Sequence, residues 1–179
     1  MVAFAHQLGA IENKAHFYAI DGTHEALFSS PNYVELKMRD VECPNIYKGQ
    51  DYILDTGSPH YVKFVKDLES INVFEEGQKI RYNERFKNGG TNVNFVQIKD
   101  QKLYIRTYER GVEDETLACG TGVVASVLSA YEAKLISNNS IEVIALGGDL
   151  KVNFEKKDHY HSIDLVGPYN CVFKGEIKC

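Results

Sequence analysis

Apolar and polar residues alternate over short runs along most of this chain, and only one long stretch is apolar on every side. The period-two runs read as strands. Residues 15–20 and 25–28 flank Asp21-Gly22, a strong signal for a two-residue hairpin turn. Residues 33–38 continue the sheet, and 51–56 and 60–65 are strands joined through Gly57-Ser58-Pro59. Residues 91–98 and 103–108 pair as antiparallel strands around Asp100-Gln101, and further strands fall at 140–145, 150–154, 162–166 and 170–173. Gly147-Gly148-Asp149 closes one of those hairpins. The exception runs from Gly122 to Leu135, interrupted only by Ser126, Ser129, Glu132 and Lys134, and reads as a buried core helix.

Two segments are harder to assign. Ile71, Phe74 and Ile80 suit a short helix over 70–81, which Gly77 weakens. Val2, Ala3, Phe4, Ala5 and Leu8 look like the end of a helix stopped by Gly9, with no capping residue ahead of them. So short a helix does not stand alone, and the expectation is that the chain starts inside an element. Strands outnumber helices, so the fold class is α+β: a mostly antiparallel sheet wrapped around a central apolar helix. The stretch 41–48, with Pro44, reads as a linker between two modules.

Composition narrows the possibilities. The chain has 179 residues, enough for one ordinary domain or two small ones, and is 44% hydrophobic and 25% charged, as soluble globular proteins are. A net charge of −5 disfavours nucleic acid as a partner. No apolar run approaches the roughly 20 residues that a membrane helix needs. Cys43, Cys119, Cys171 and Cys179 show no CxxC spacing, so reduced thiols in a cytoplasmic protein are expected. The first seven residues lack the basic and long apolar regions of a signal peptide.

Candidate chemistry centres on Cys119, in the run Thr116-Leu117-Ala118-Cys119-Gly120-Thr121-Gly122 that opens into the apolar helix. Unpaired amides and the helix dipole converge there, which favours a thiolate and can also hold a carboxylate. By itself such a cysteine is more often a buried structural residue. His60 alone is equally well a structural histidine, Asn92 can pair with its own strand, and Glu109-Arg110 can be a surface ion pair. His159 and His161 lack a third ligand, so no metal is expected, and Cys43, Cys171 and Cys179 read as structural or incidental.

Taken together, 57–60, Thr91-Asn92-Val93-Asn94-Phe95, Tyr108-Glu109-Arg110-Gly111 and the Cys119 turn resemble the diaminopimelate epimerases. The segment 106–122, RTYERGVEDETLACGTG, is similar to the stretch around that family's second catalytic cysteine. The likeness continues through Val166-Gly167-Pro168 and Val172-Phe173-Lys174-Gly175. The resemblance implies interconversion of LL- and meso-diaminopimelate, an amino-acid substrate in lysine and peptidoglycan synthesis, with no cofactor. One cysteine thiolate takes the α-proton and a second cysteine thiol delivers one to the opposite face. It makes Cys119 one acid/base, with His60 and Glu109 tuning the thiols. Gly120 and Thr121 amides would meet the substrate carboxylate, and Asn92, Glu109 and Arg110 its other polar groups.

Departures matter as well. The family's first cysteine lies in a Cys-Gly-Asn-Gly turn absent here, Ser58 stands where the family usually has asparagine, and the loop 111–115 is one residue longer than is common. The expectation is a C-terminal portion of such an enzyme. Residues 1–42 joined by 167–179 form part of the first domain, and 43–166 form a complete second one. Such a chain is expected to be inactive or weakly active, with exposed Phe4 and Leu8 suited to pairing two copies. The alternatives are a non-catalytic binding or dimerising fragment and a racemase of another amino acid.

Overall fold

The computed structural model describes residues 2–19, 22–30, 32–173 and 175–177. Helix α1 (Val2–Gln7) stops as its sequence requires. Gly9 takes φ +71° while its N–H bonds the His6 carbonyl and Ala10 N–H bonds that of Ala5, the paired bonds of a left-handed helix cap. The strands follow as β1 (Lys14–Ala19), β2 (Gly22–Ser30), β3 (Tyr33–Lys37), β4 (Asn45–Tyr47), β5 (Asp51–Asp55) and β6 (Pro59–Phe64). Helix α2 (Val73–Arg81) precedes β7 (Asn92–Lys99), β8 (Lys102–Glu109) and β9 (Asp114–Thr116), and helix α3 (Gly120–Glu132) precedes β10 (Ser140–Ala145), β11 (Gly148–Lys156) and β12 (Tyr160–Pro168).

One hydrogen-bonded sheet joins these strands in the order β1-β2-β3-β12-β11-β10-β8-β7-β6-β5-β4, with β9 on the side of β8. Pairing is antiparallel except at β6–β7 and β8–β10. Both parallel steps have a helix in the connection, as parallel neighbours require. The β7–β8 hairpin turns on Asp100 and Gln101, both at positive φ, the two-residue turn whose twist matches the flanking strands.

The sheet's side-chain period sorts its residues onto two cores. On one face Val62, Val96, Leu103 and Ile105 pack with α3, whose residues 122–130 are all buried. On the other Tyr61, Val93, Phe95 and Tyr108 pack around Val73 of α2. Each fully buried aliphatic side chain of α3, such as Val123, Val127 or Leu128, contributes about 1.5–3 kcal/mol. Polar residues occupy the same α3-facing rows beyond the aliphatic ones: His60 continues the row of Val62, Asn92 and Asn94 that of Val96, and Thr107 that of Ile105. The face is therefore oily along most of α3 and polar at its amino end.

Three local outcomes differ from the sequence expectation or refine it. The ambiguous 70–81 stretch forms α2, capped by Asn72, whose side chain accepts from Glu75 N–H at 3.2 Å. Gly77 is there because a Cβ would land on the Cβ of buried Tyr108. The expected linker contains β4, paired with β5 across a turn in which Lys48 and Gly49 take positive φ. The expected strand at 170–173 does not form: Val172 and Phe173 are exposed and pair with nothing in the sheet. Ile20 and Asp21 of the expected hairpin, and Lys174 and Cys179, lie outside the described residues.

Candidate active site

Cys119 is the N-cap of α3, with extended backbone angles (φ −119°, ψ 106°) and a side chain only 8% exposed. The helical ladder begins with Val123 N–H on the Cys119 carbonyl at 2.9 Å. The amides of 120–122 consequently have no partner within the helix. Those of Thr121 and Gly122 lie near the Cys119 sulfur without a capping hydrogen bond to it, and the Thr121 hydroxyl lies 3.5 Å from it.

That hydroxyl leads into the sheet. Thr121 Oγ1 is 3.0 Å from His60 Nε2 and 3.3 Å from Ser58 Oγ, and Ser58 Oγ is itself 3.0 Å from the same nitrogen. Thr56 Oγ1 donates to the Thr121 carbonyl at 2.9 Å, tying the end of β5 to the helix. The Asn92 amide donates to Ser58 Oγ and to the Pro59 carbonyl, each at 3.1 Å, while its oxygen accepts Arg110 N–H at 2.9 Å. Arg110 is exposed and donates from Nη1 to the Gly89 carbonyl at 2.9 Å. Glu109 shares the α3-facing parity of Thr107 and accepts from Thr116 Oγ1 at 2.8 Å. All seven residues singled out from sequence, Cys119, His60, Glu109, Asn92, Arg110, Gly120 and Thr121, therefore gather at the amino end of α3.

Electrostatics corrects one expectation. The helix mouth was expected to make the sulfur acidic, but burial pushes the Cys119 thiol above its usual range. The Thr121 hydroxyl and the Gly122 and Thr121 amides pull the other way, and the charge of Glu109 adds to the rise. Desolvation wins because the sulfur is nearly out of water, so the resting group is a thiol. His60, 1% exposed, is held down to about 3 by burial and then by the Arg110 charge. Its ring is neutral at ordinary pH.

Two neighbours escaped the sequence reading as site residues. Asn94, fully buried, lies one row beyond Asn92 on the same face, and Thr107 opposes it across the β7–β8 pair and donates to its Oδ1 at 3.0 Å. The available signal was a polar residue at every second position of an otherwise apolar strand, Asn92 then Asn94. Ser58 is not isolated: it bridges Asn92, His60 and Thr121.

Similarity to known proteins follows the same residues. The sequence profile described as diaminopimelate epimerase matches residues 52–172. A diaminopimelate epimerase from Flavobacterium psychrophilum is 42% identical over 99% of this chain and 70% of its own length. Those from Aquifex aeolicus and Chlorobaculum tepidum are 34% and 37% identical, with 66% and 71% of their lengths matched. The chain thus spans about two thirds of the length of these relatives. Among solved structures, a putative phenazine biosynthesis PhzC/PhzF protein from Clostridium difficile superposes with a TM-score of 0.65 at 9% identity, covering 99% of this chain and 70% of that one. A predicted epimerase from Pseudomonas aeruginosa gives 0.65 at 15% identity, covering 93% and 68%, so the fold is shared where the sequences have diverged. With the profile spanning most of the sheet and the whole polar end of α3, this chain belongs to the diaminopimelate epimerase family.

Proposed function

We propose that Cys119 is one of two thiol proton carriers in a cofactor-independent interconversion of LL- and meso-diaminopimelate, a reaction of lysine and peptidoglycan precursor synthesis. The observation that carries this reading is a buried thiol at a helix mouth with a hydroxyl 3.5 Å from its sulfur, in a chain of this family. The α-proton of an amino acid is very weakly acidic, so the carbanion left by its removal needs donors already in place. A group resting as a thiol suits the delivering half of the exchange. Cys119 gives its proton to one face of the α-carbon, and the resulting thiolate meets the Thr121 hydroxyl and the helix amides.

Positive partners for the substrate lie around the sulfur. The Gly120 amide and the helix dipole face an incoming α-carboxylate, and the outward donors of Arg110 offer a bidentate clamp for a carboxylate. Asn92 Oδ1 keeps a lone pair beside the Arg110 amide, suited to a substrate ammonium. Glu109 presents a negative charge near the thiol and, with neutral His60, sets its protonation. We read the sheet as curling around α3, which keeps water from the sulfur.

The second thiol does not come from the other described cysteines. The Cys43 thiol donates to the Asp158 carbonyl at 3.5 Å and lies near Glu132 at the far end of α3, a 13-residue helix that puts the two sulfurs roughly 20 Å apart. Cys171 is exposed and bonded to the Phe173 carbonyl. The chain alone is therefore expected to invert diaminopimelate poorly. Conversion of LL- to meso-diaminopimelate should run on the order of 10²–10⁴-fold slower than with the F. psychrophilum relative, the usual weight of a missing acid/base. Inversion at the relative's rate would overturn the two-thiol reading.

A further inference from the structure

The orientation of the buried amide of Asn94 follows from its neighbours. One side of that amide lies 3.1 Å from the Tyr61 carbonyl oxygen, which can only accept, so the NH2 group is on that side. The same nitrogen lies 3.1 Å from His60 Nδ1, and its second hydrogen points there. The amide oxygen on the other side accepts from Thr107. His60 Nδ1 must then carry a lone pair, because a proton on it would face the amide's own. The ring's hydrogen sits on Nε2, within 3.0 Å of both Thr121 Oγ1 and Ser58 Oγ.

Either route ends on the same atom. Nε2–H donates to Thr121 Oγ1 directly, or to Ser58 Oγ, whose hydrogen then turns to Thr121 at 3.3 Å. Each fills a lone pair of the Thr121 oxygen and leaves its hydrogen free to point at the sulfur 3.5 Å away. The opposite tautomer would reverse the chain: Nε2 would accept from Thr121, and the sulfur would lose its donor.

We propose that Asn94 is a positioning residue that holds the His60 imidazole in its Nε2–H tautomer, so that a line of donors through Thr121 ends on the Cys119 sulfur and receives the thiolate left by proton delivery. The side-chain hydrogen bonds of Asn94 go to Tyr61, His60 and Thr107 and not to the sulfur. It acts through a ring it locks, and Thr107 locks it in turn. This rests on the reading of Cys119 as a proton carrier.

The test uses the whole chain without substrate. Nitrogen-15 NMR of the His60 ring is expected to show Nε2 protonated and Nδ1 bare at pH 7. Asn94→Asp turns the donor beside Nδ1 into an acceptor and is expected to move a proton to Nδ1. Where that ring is neutral, iodoacetamide alkylation of Cys119 should be about tenfold slower, one unit of thiol pKa. Asn94→Leu, uncharged and similar in size, controls for the new carboxylate's field, and should give a mixed tautomer and a smaller slowing. An Nδ1-protonated ring in the unaltered chain, or a Cys119 alkylation curve indifferent to both substitutions, overturns the proposal. If a variant fails to fold, the ring of the unaltered chain still decides. The NMR is independent of turnover, so an Nε2–H ring in a chain that binds no diaminopimelate would sink the functional reading alone.

Discussion

Gly122→Ala is expected to lower the stability of the chain by about 3 kcal/mol and to disconnect the His60 chain from Cys119. The added Cβ would fall on Asn94 Oδ1, well inside contact distance, and at 3.3 Å from His60 Cε1. Neither neighbour can retreat. Asn94 is held by Tyr61 and Thr107 inside the sheet, and the His60 ring by Asn94 on one side and two hydroxyls on the other. Overpacking a dense interior costs about 1–3 kcal/mol, and displacing Asn94 from Thr107 leaves buried polar atoms unpaired for another 1–3. Alanine's better helix propensity returns at most about 1 kcal/mol. Thermal unfolding checks the sum: at this chain length the midpoint should fall by about 10 °C. A change under 2 °C would mean that the helix and strand are not packed as closely as described.

Acid should weaken the fold through His60. In the native state burial, then the Arg110 charge, holds the ring to about 3, against about 6.5 in an unfolded chain. Between those values the unfolded state binds a proton that the native state refuses, so stability rises with pH there. The contribution is complete above about pH 6.5 and is lost as pH falls toward 3. The slope is about 1.4 kcal/mol per pH unit, giving a loss of about 3 kcal/mol between pH 7 and 4. Urea titrations of the chain and of His60→Gln over that range isolate the effect. The variant, with nothing to protonate at that position, should show the shallower pH dependence by that slope. Parallel curves would show that the ring titrates as freely in the folded chain as in the unfolded one.

Much of this architecture is legible in the residues, and the exceptions have physical causes. Strands such as β7 and β8 announce themselves by short runs of β-branched and aromatic residues on either side of a two-residue turn, and α3 by being apolar nearly all round. β4 and β9 are three residues each, too short to set a period, and exist because β5 and β8 offer them edges. Residues 170–173 carry an apolar pattern without a strand, since no edge pairs with them. Gly77 argues against α2 only until Tyr108 is seen to need the space.

The site divides similarly. Cys119, His60 and the Glu109-Arg110 pair were readable as residue types in a motif. Asn94 and Thr107 become members only when strand register places them on the face beneath α3. The direction of the Cys119 shift was misjudged because the helix mouth is local and visible in sequence, whereas burial is tertiary and is not. What local chemistry proposes, the surrounding packing can reverse.

The central claim is that Cys119 sits in a diaminopimelate site, and ligand protection tests it most directly. Alkylation of each cysteine by iodoacetamide can be followed by mass spectrometry at pH 8.5 with increasing meso-diaminopimelate. Modification of Cys119 is expected to slow in proportion to site occupancy, while exposed Cys171 reacts at an unchanged rate and lysine, which lacks the second carboxylate, protects less. If Cys119 is alkylated equally fast with and without saturating diaminopimelate, the sulfur is not at the substrate site and the account is wrong.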